Sequence, residues 1–492
     1  MSCRKKPNIL LIMTDEQKFD AISGLSQIPD LTPNLRKLAE DGTCFSNAYT
    51  PSPVCGPARA AIFTGLYPPS CGAVKNWAPF APGVSMLPAR LQSCGYETAS
   101  IGKLHFVPAK EAHGFEWKRL HDAPYSVYAD DDKESDYIGW LQKEHFRETD
   151  PVLKFDEDEL AFHTDLKKFM MGSGFRTEEQ HDIAWCTKEA VGFLENRRSE
   201  RPFFLSLSYF APHMPYDPPS PYNTLYPWED ITLPESFYTD FLKDGAIFSR
   251  ICAELRARIR SELSEKDAKQ VVAAYLGQVK MLDDYLGRVI EALKKSGEYD
   301  NTMIVFTADH GDHMGSYGLF FKGQMYDSCC KVPLVIKPAG LADHVAATPL
   351  VVNTLDLYGT FLSLAGDDAW QSAGRESRSL LPLLCSASAQ WDDKTYSIIG
   401  GDPDEALTML RHGSYKLCRL AKNAEEAYYE LFDLEADPQE HCDVSAVPAY
   451  EKVFRRLKAD LDAWFYDQHA RYPKAVTTVR SENYQFNGIK HL

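Results

Sequence analysis

The chain has 492 residues, 44% of them hydrophobic and 25% charged, an ordinary globular composition with enough apolar material for one large core and a smaller one. Its 53 basic and 70 acidic residues leave a formal net charge of −17, which counts against a general affinity for nucleic acid, since that affinity rests on lysine and arginine releasing counterions. No segment is apolar for the ~20 residues a membrane span needs. The twelve cysteines show neither CxxC pairs nor regular spacing, which counts against a zinc site and a secreted disulfide framework.

The first apolar run, "NILLIM" (8–13), is cut short by Asp15. It is too brief for an export signal and reads as a buried strand, so the expected compartment is the cytoplasm. In "PSPVCGPARAAIFTG" (51–65) a helix begins, because Pro57 suits a first turn; Cys55 and Arg59, at i and i+4, then share a face. "YETASIG" (96–102), "PFFLSLS" (202–208) and "TMIVFTA" (302–308) are further β-rich runs. Near-continuous apolar strands alternating with helical patterns predict an α/β fold with a mostly parallel sheet sandwiched by helices.

The polar stretches at 129–136 and 217–262 read as insertions that carry specificity. A long helix is expected from Ser264, capped with Asp267, its apolar stripe running through Val272, Tyr275, Val279, Leu282, Leu286, Val289 and Leu293 to "KKSG". After residue 372 the pattern changes to short strands, "YSIIGG", "ALTMLRHG", "SYKLCRL" and "YYELFDL", then a helix over 449–464. The predicted organisation is a large unit over 1–372, a smaller α+β subdomain of antiparallel sheet plus helix over 373–475, and a tail over 476–492. Such a tail often packs on a neighbouring subunit, so a homo-oligomer is expected.

Ligands of open α/β sheets collect at the carboxyl ends of strands. The first strand ends in Asp15 and Glu16, and the strand at 302–308 ends in Asp309 and His310. Carboxylates with an imidazole at two strand ends suit a divalent cation. "GKLHF" (102–106), if extended, points Lys103 and His105 to one side, while "APHMP" offers His213 and "FFKGQ" offers Lys322. Cys55, at the positive end of a helix beside Arg59, marks an anion site. A thiolate there would be acidified, but the carboxylates oppose this and favour an oxygen nucleophile on the cation. Asn76, Trp77, His113, Tyr216 and Asp217 follow these motifs closely enough to line a pocket mouth or to be structural. The adjacent Cys329 and Cys330 suggest no function.

The "CGPAR" stretch has the form C-x-P-x-R and, with the "TG" that follows, resembles the sulfatase signature. The resemblance extends in order through "NILLIMTDEQ", "TPNLRKLAEDG", "GYETASIGKLHF", the "PHMP" loop, "TADHGDHMGSYGLFFKG" and "YELFDLEADPQE". It implies an alkaline-phosphatase-like fold and conversion of Cys55 to formylglycine by a maturation enzyme. It also implies one divalent cation held by Asp15, Glu16, Asp309, His310 and the modified Cys55. Calcium is the expected ion, with manganese and magnesium as alternatives. Two positions depart from the family pattern: Glu16 stands where a second aspartate is usual, and His310 where asparagine is usual, as in choline sulfatases and phosphonate monoester hydrolases. Imidazole improves the case for manganese.

The implied reaction releases sulfate from a small-molecule or saccharide sulfate ester. The metal and Arg59 activate the hydrated aldehyde, Lys103 and Lys322 neutralise the sulfuryl oxygens, His213 protonates the leaving oxygen and His105 serves the remaining hydroxyl. Cysteine is encoded because only a geminal diol can expel sulfate by elimination. A phosphonate monoester or phosphodiester hydrolase using the same site is the second expectation. A sulfate-ester binding protein with an unmodified Cys55 is the third.

Overall fold

The computed structural model describes residues 5–122, 135–144, 165–172, 177–239, 247–340, 343–401, 406–422 and 426–471. The tail over 476–492 and most of the polar stretch at 129–136 lie outside the described residues. The predicted β-rich runs become four strands of one eight-stranded sheet. Its strands are β1 (Asn8–Thr14), β2 (Thr43–Tyr49), β3 (Glu97–Gly102), β4 (Trp117–Leu120), β5 (Phe203–Ser208), β6 (Thr302–Ala308), β7 (Leu334–Lys337) and β8 (Ala347–Asn353). They lie in the order β4-β3-β5-β1-β6-β7-β2-β8. Every neighbouring pair is parallel except the two that involve β7.

β1 lies between β5 and β6, all seven of its residues buried. Period-two alternation divides its side chains between two layers. Ile9, Leu11 and Met13 pack with Phe63, Phe204 and Phe361 on one face; Leu10 and Ile12 pack with Met281, Leu286 and Val289 on the other. The long helix runs Glu265–Lys295 and carries the predicted capping box, Ser264 and Asp267 each accepting from the other's backbone amide. The whole predicted stripe is buried. Among the described residues no helix is long and apolar enough to cross a membrane.

The C-terminal strands, β9 (Lys394–Ile399), β10 (Leu407–His412), β11 (Tyr415–Ala421) and β12 (Ala427–Asp433), form a separate antiparallel sheet in the order β12-β11-β10-β9. The helix Glu451–Arg471 covers it, Leu457 and Leu461 packing on Leu410, Leu417 and Leu431. A buried charge cluster helps join this sheet to the large unit: the fully buried Lys416 of β11 pairs with Asp327 at 2.8 Å and Glu440 at 2.6 Å. The architecture is the expected one, a mostly parallel helix-covered sheet with a small antiparallel sheet beside it.

The adjacent cysteines have a packing role. Both are buried thiols in the short helix Asp327–Cys330, with their carbonyls accepting from Gly311 and Thr50. A Cβ on Gly311 would lie 2.2 Å from the Ser328 carbonyl oxygen, so that helix is seated directly against the turn after β6.

Candidate active site

Strand order assembles the site. β3, β5, β1 and β6 are consecutive neighbours, so the residues just past their ends meet. The turns after β1 and β6 are tied together by Asp309 N–H donating to the Thr14 carbonyl at 3.1 Å and Glu16 N–H donating to Asp309 Oδ1 at 3.2 Å. Opposite them the helix Cys55–Thr64 begins at the predicted cysteine. Its amide at Gly56 donates to Asn76 Oδ1 at 2.8 Å, which caps the first turn from outside the helix.

Arg59 has no solvent exposure and reaches four acceptors. Its Nε donates to Asp309 Oδ2 at 2.7 Å, one terminal nitrogen to the Lys103 carbonyl at 2.7 Å and to Ser208 Oγ at 2.6 Å, and the other to Asp15 Oδ2 at 3.4 Å. The guanidinium fork therefore fixes both carboxylates and the end of β3 as one unit. Burial pushes the Cys55 thiol up to about 12, with Asp15 adding to it. The helix start does not acidify it.

Asp15, Cys55, Asp309 and His310 each offer one donor atom, all within 4.8 Å of one another. Cys55 Sγ lies 3.1 Å from His310 Nε2 and 3.6 Å from Asp15 Oδ1. His310 Nδ1 is 2.9 Å from the Gly311 carbonyl, which can only accept. The proton therefore sits on Nδ1 and the Nε2 lone pair faces the group. Two carboxylates and an imidazole around one point fit a divalent cation. Burial alone would raise the Asp15 carboxyl, but Lys103, His213, Lys322 and Arg59 hold it well below the usual range.

Glu16 turns elsewhere. It adopts φ 65°, and its Oε2 lies 3.1 Å from Lys322 Nζ and 3.3 Å from His213 Nε2. Its carboxylate thus joins a neighbouring group with Asp15 and His213. Burial raises its pKa to about 8, against the opposing charge of Lys322. Asp312 lies beside it, accepting from Tyr216 at 3.2 Å, with its own carboxyl raised by burial to about 6.

Lys103 Nζ pairs with Asp15, and its ammonium also lies 4.5 Å from the Phe210 ring centroid. The segment after β3 is not extended, as period-two reasoning assumed: Gly102 has φ 87° and His105 φ 64°. His105 instead packs on Trp77, ring centroids 3.9 Å apart, and neither of its buried ring nitrogens has a hydrogen-bond partner. Burial first, then Lys103 and Arg59, hold its imidazole well below the usual value. His213 is held down likewise, by burial and then Lys322. Lys322 is raised, because Cys55, Glu16 and Asp15 outweigh its burial.

Of the pocket-mouth candidates, Asn76 caps the Cys55 helix, Tyr216 bonds Asp312 and His113 Nε2 lies 2.7 Å from the Pro108 carbonyl. Asp217 is buried near His181. Sequence reasoning missed Ser208, Asp122, Asp312 and Tyr275. Only Ser208, the last residue of a predicted strand, carried a positional signal.

The sulfatase family's sequence model matches residues 7–367, and one described as N-sulphoglucosamine sulphohydrolase, C-terminal, matches residues 315–466. An arylsulfatase of Clostridium perfringens is 30% identical over 458 residues, 88% of this chain and 89% of that protein. A choline-sulfatase of Rhizobium meliloti is 28% identical over 489 residues, 93% and 88% of the two chains. A phosphonate monoester hydrolase of Agrobacterium radiobacter shares the fold at a TM-score of 0.74, with 22% identity over 94% of this chain and 96% of that one. With an alkaline-phosphatase-like fold and a family match over most of its length, the chain belongs to the sulfatase family, hydrolases of sulfuric esters.

Proposed function

We propose that the protein releases inorganic sulfate from an organic sulfate ester at the cluster around Cys55. The observation that carries this reading is the enclosure of Cys55 by Asp15, Asp309 and His310 at the start of a helix, with Arg59 beneath it. A maturation enzyme's oxidation of Cys55 to formylglycine would supply a geminal diol as nucleophile, and a divalent cation held by Asp15, Asp309 and His310 would supply positive charge beside it. Calcium is the proposed ion, with manganese and magnesium as alternatives. Glu16, which also groups with Asp15 and His213, is given the role of partner to Lys322 and His213 in this reading.

The chain's own residues then divide the work. Lys103 and Lys322 bind the sulfuryl oxygens and offset the charge that develops on them. His213 is neutral in the free site, and an anionic ester lying against it offsets Lys322 and raises its proton affinity. It then donates to the leaving oxygen. His105, neutral and with both ring nitrogens open, takes a proton from the hydroxyl at position 55. Arg59 holds the Asp15 and Asp309 side chains in place.

The same geometry serves a phosphonate monoester or phosphodiester, a second reading favoured by His310. The ratio of kcat/KM for an aryl sulfate to that for an aryl phosphonate monoester separates them. Retention of a thiol at Cys55 would instead fit a binding protein. The mass of the peptide spanning Cys55, after expression with a formylglycine-generating enzyme, tests this directly. Cys55→Ser is expected to lower turnover by on the order of 10³-fold or more; turnover at the wild-type rate would overturn the proposal.

A further inference from the structure

Asp122, just past the end of β4, belongs to none of the motifs above. Its side chain is almost wholly buried, and Oδ1 accepts from two successive backbone amides, Leu104 N–H at 2.7 Å and His105 N–H at 3.0 Å. His105 itself adopts φ 64°, a left-handed conformation that a residue with a side chain holds only when its surroundings enforce it. Successive amides in such a turn form a concave anion site. Here the anion comes from the chain itself.

The loop is tied at other points as well. Lys103 N–H donates to the Ser208 carbonyl at 2.8 Å, and His121 N–H donates to the Gly102 carbonyl at 3.0 Å. Gly102 has its backbone so close to β5 that a Cβ would lie 1.8 Å from the Ser208 carbonyl oxygen. These contacts fix the residues up to Lys103, whereas the amides of Leu104 and His105 share only the Asp122 carboxylate. The His105 ring, packed on Trp77, has no hydrogen bond of its own to hold it.

We infer that Asp122 is the positioning residue for His105, its carboxylate holding the left-handed turn that aims the imidazole into the site. The inference rests on the role proposed above for His105. Without the acceptor two buried N–H groups lose their partner, the turn relaxes toward negative φ, and the imidazole leaves its place over Trp77. Asparagine keeps an oxygen acceptor at the same reach.

The test uses matured, metal-loaded enzyme with 4-nitrophenyl sulfate as probe, and compares Asp122→Ala, Asp122→Asn, His105→Ala and the double variant Asp122→Ala/His105→Ala. Asp122→Ala is expected to lower kcat/KM about 100-fold, mostly in kcat, as a displaced catalytic group does, and Asp122→Asn to stay within about 3-fold of wild type. On a His105→Ala background the alanine at 122 should cost less than about 3-fold, because its effect passes through the missing ring. Losses that multiply in the double variant, or an Asp122→Asn as impaired as Asp122→Ala, would overturn the inference. If Asp122→Ala does not fold, Asp122→Ser, too short to reach both amides, takes its place with the same expectations. A His105→Ala enzyme as active as wild type would instead remove the role given to His105. A full loss in His105→Ala with none in Asp122→Ala would sink the Asp122 inference alone.

Discussion

His313 sits one turn beyond the proposed ligands and is wholly buried. Its Nε2 lies 2.7 Å from Gln324 Oε1 and its Nδ1 2.8 Å from Ser328 Oγ. Burial pushes the imidazole down to about 3, against the opposing hydrogen bond with Gln324. Folded, the ring is neutral; unfolded, it protonates near 6.5. Its contribution is therefore complete above pH 6.5 and is lost as pH falls from 6.5 toward 3, at about 1.4 kcal/mol per unit. Urea midpoints at pH 7 and pH 5.5 should show wild type losing about 1 kcal/mol more than His313→Gln. The motif "TADHGDHMG" displayed this histidine plainly, but only its partners, Gln324 and Ser328 in place of the Cys55 cluster, separate it in role from His310. Residues whose position follows from strand ends, such as Asp15 and Asp309, were legible in the sequence. Glu16 and His105 were less so, because a positive φ redirects a side chain in a way that alternation cannot register.

The long helix was the most legible element, since its stripe and its cap agree. Its contribution to the site was not legible, because Tyr275 looks like one more apolar step. The hydroxyl of Tyr275 donates to the Glu16 carbonyl at 3.2 Å and accepts from Lys18 N–H at 2.8 Å. It brackets the left-handed turn that follows Asp15. Tyr275→Phe should keep the packing and release the turn. Titration calorimetry with calcium or manganese should then show binding weakened about 10-fold, the usual scale for a group that supports ligands without touching the ion. Unchanged affinity would confine Tyr275 to the core. Four strands escaped notice: β4 and β7 have four residues each, and β2 mixes polar, partly exposed positions among its buried ones. β8 contains Pro349, which its place at the sheet edge tolerates.

Across the whole molecule, the two sheets are joined through charge as well as apolar packing. Lys416 on β11 reaches Asp327, which also accepts from Tyr49 of β2 at 3.1 Å. The short helix that begins at Asp327 backs the turn after β6. Removing the ammonium leaves two buried carboxylates facing each other, so Lys416→Met should cost about 3 kcal/mol. Both sheets should melt in a single transition, monitored by circular dichroism and tryptophan fluorescence together. Two separated transitions would show that the smaller sheet is independent. The sequence announced the second sheet by its change of pattern, but not this joint, whose partners lie 89 residues apart. The placement of β1 between β5 and β6 also imposes an order in time. Cys55 is 2% exposed and is enclosed by residues that follow β6. At ~5–20 residues per second of synthesis, the ribosome delivers those residues tens of seconds after Cys55. The thiol is open until the chain has folded around it, so the oxidation proposed above would have to come before that enclosure forms.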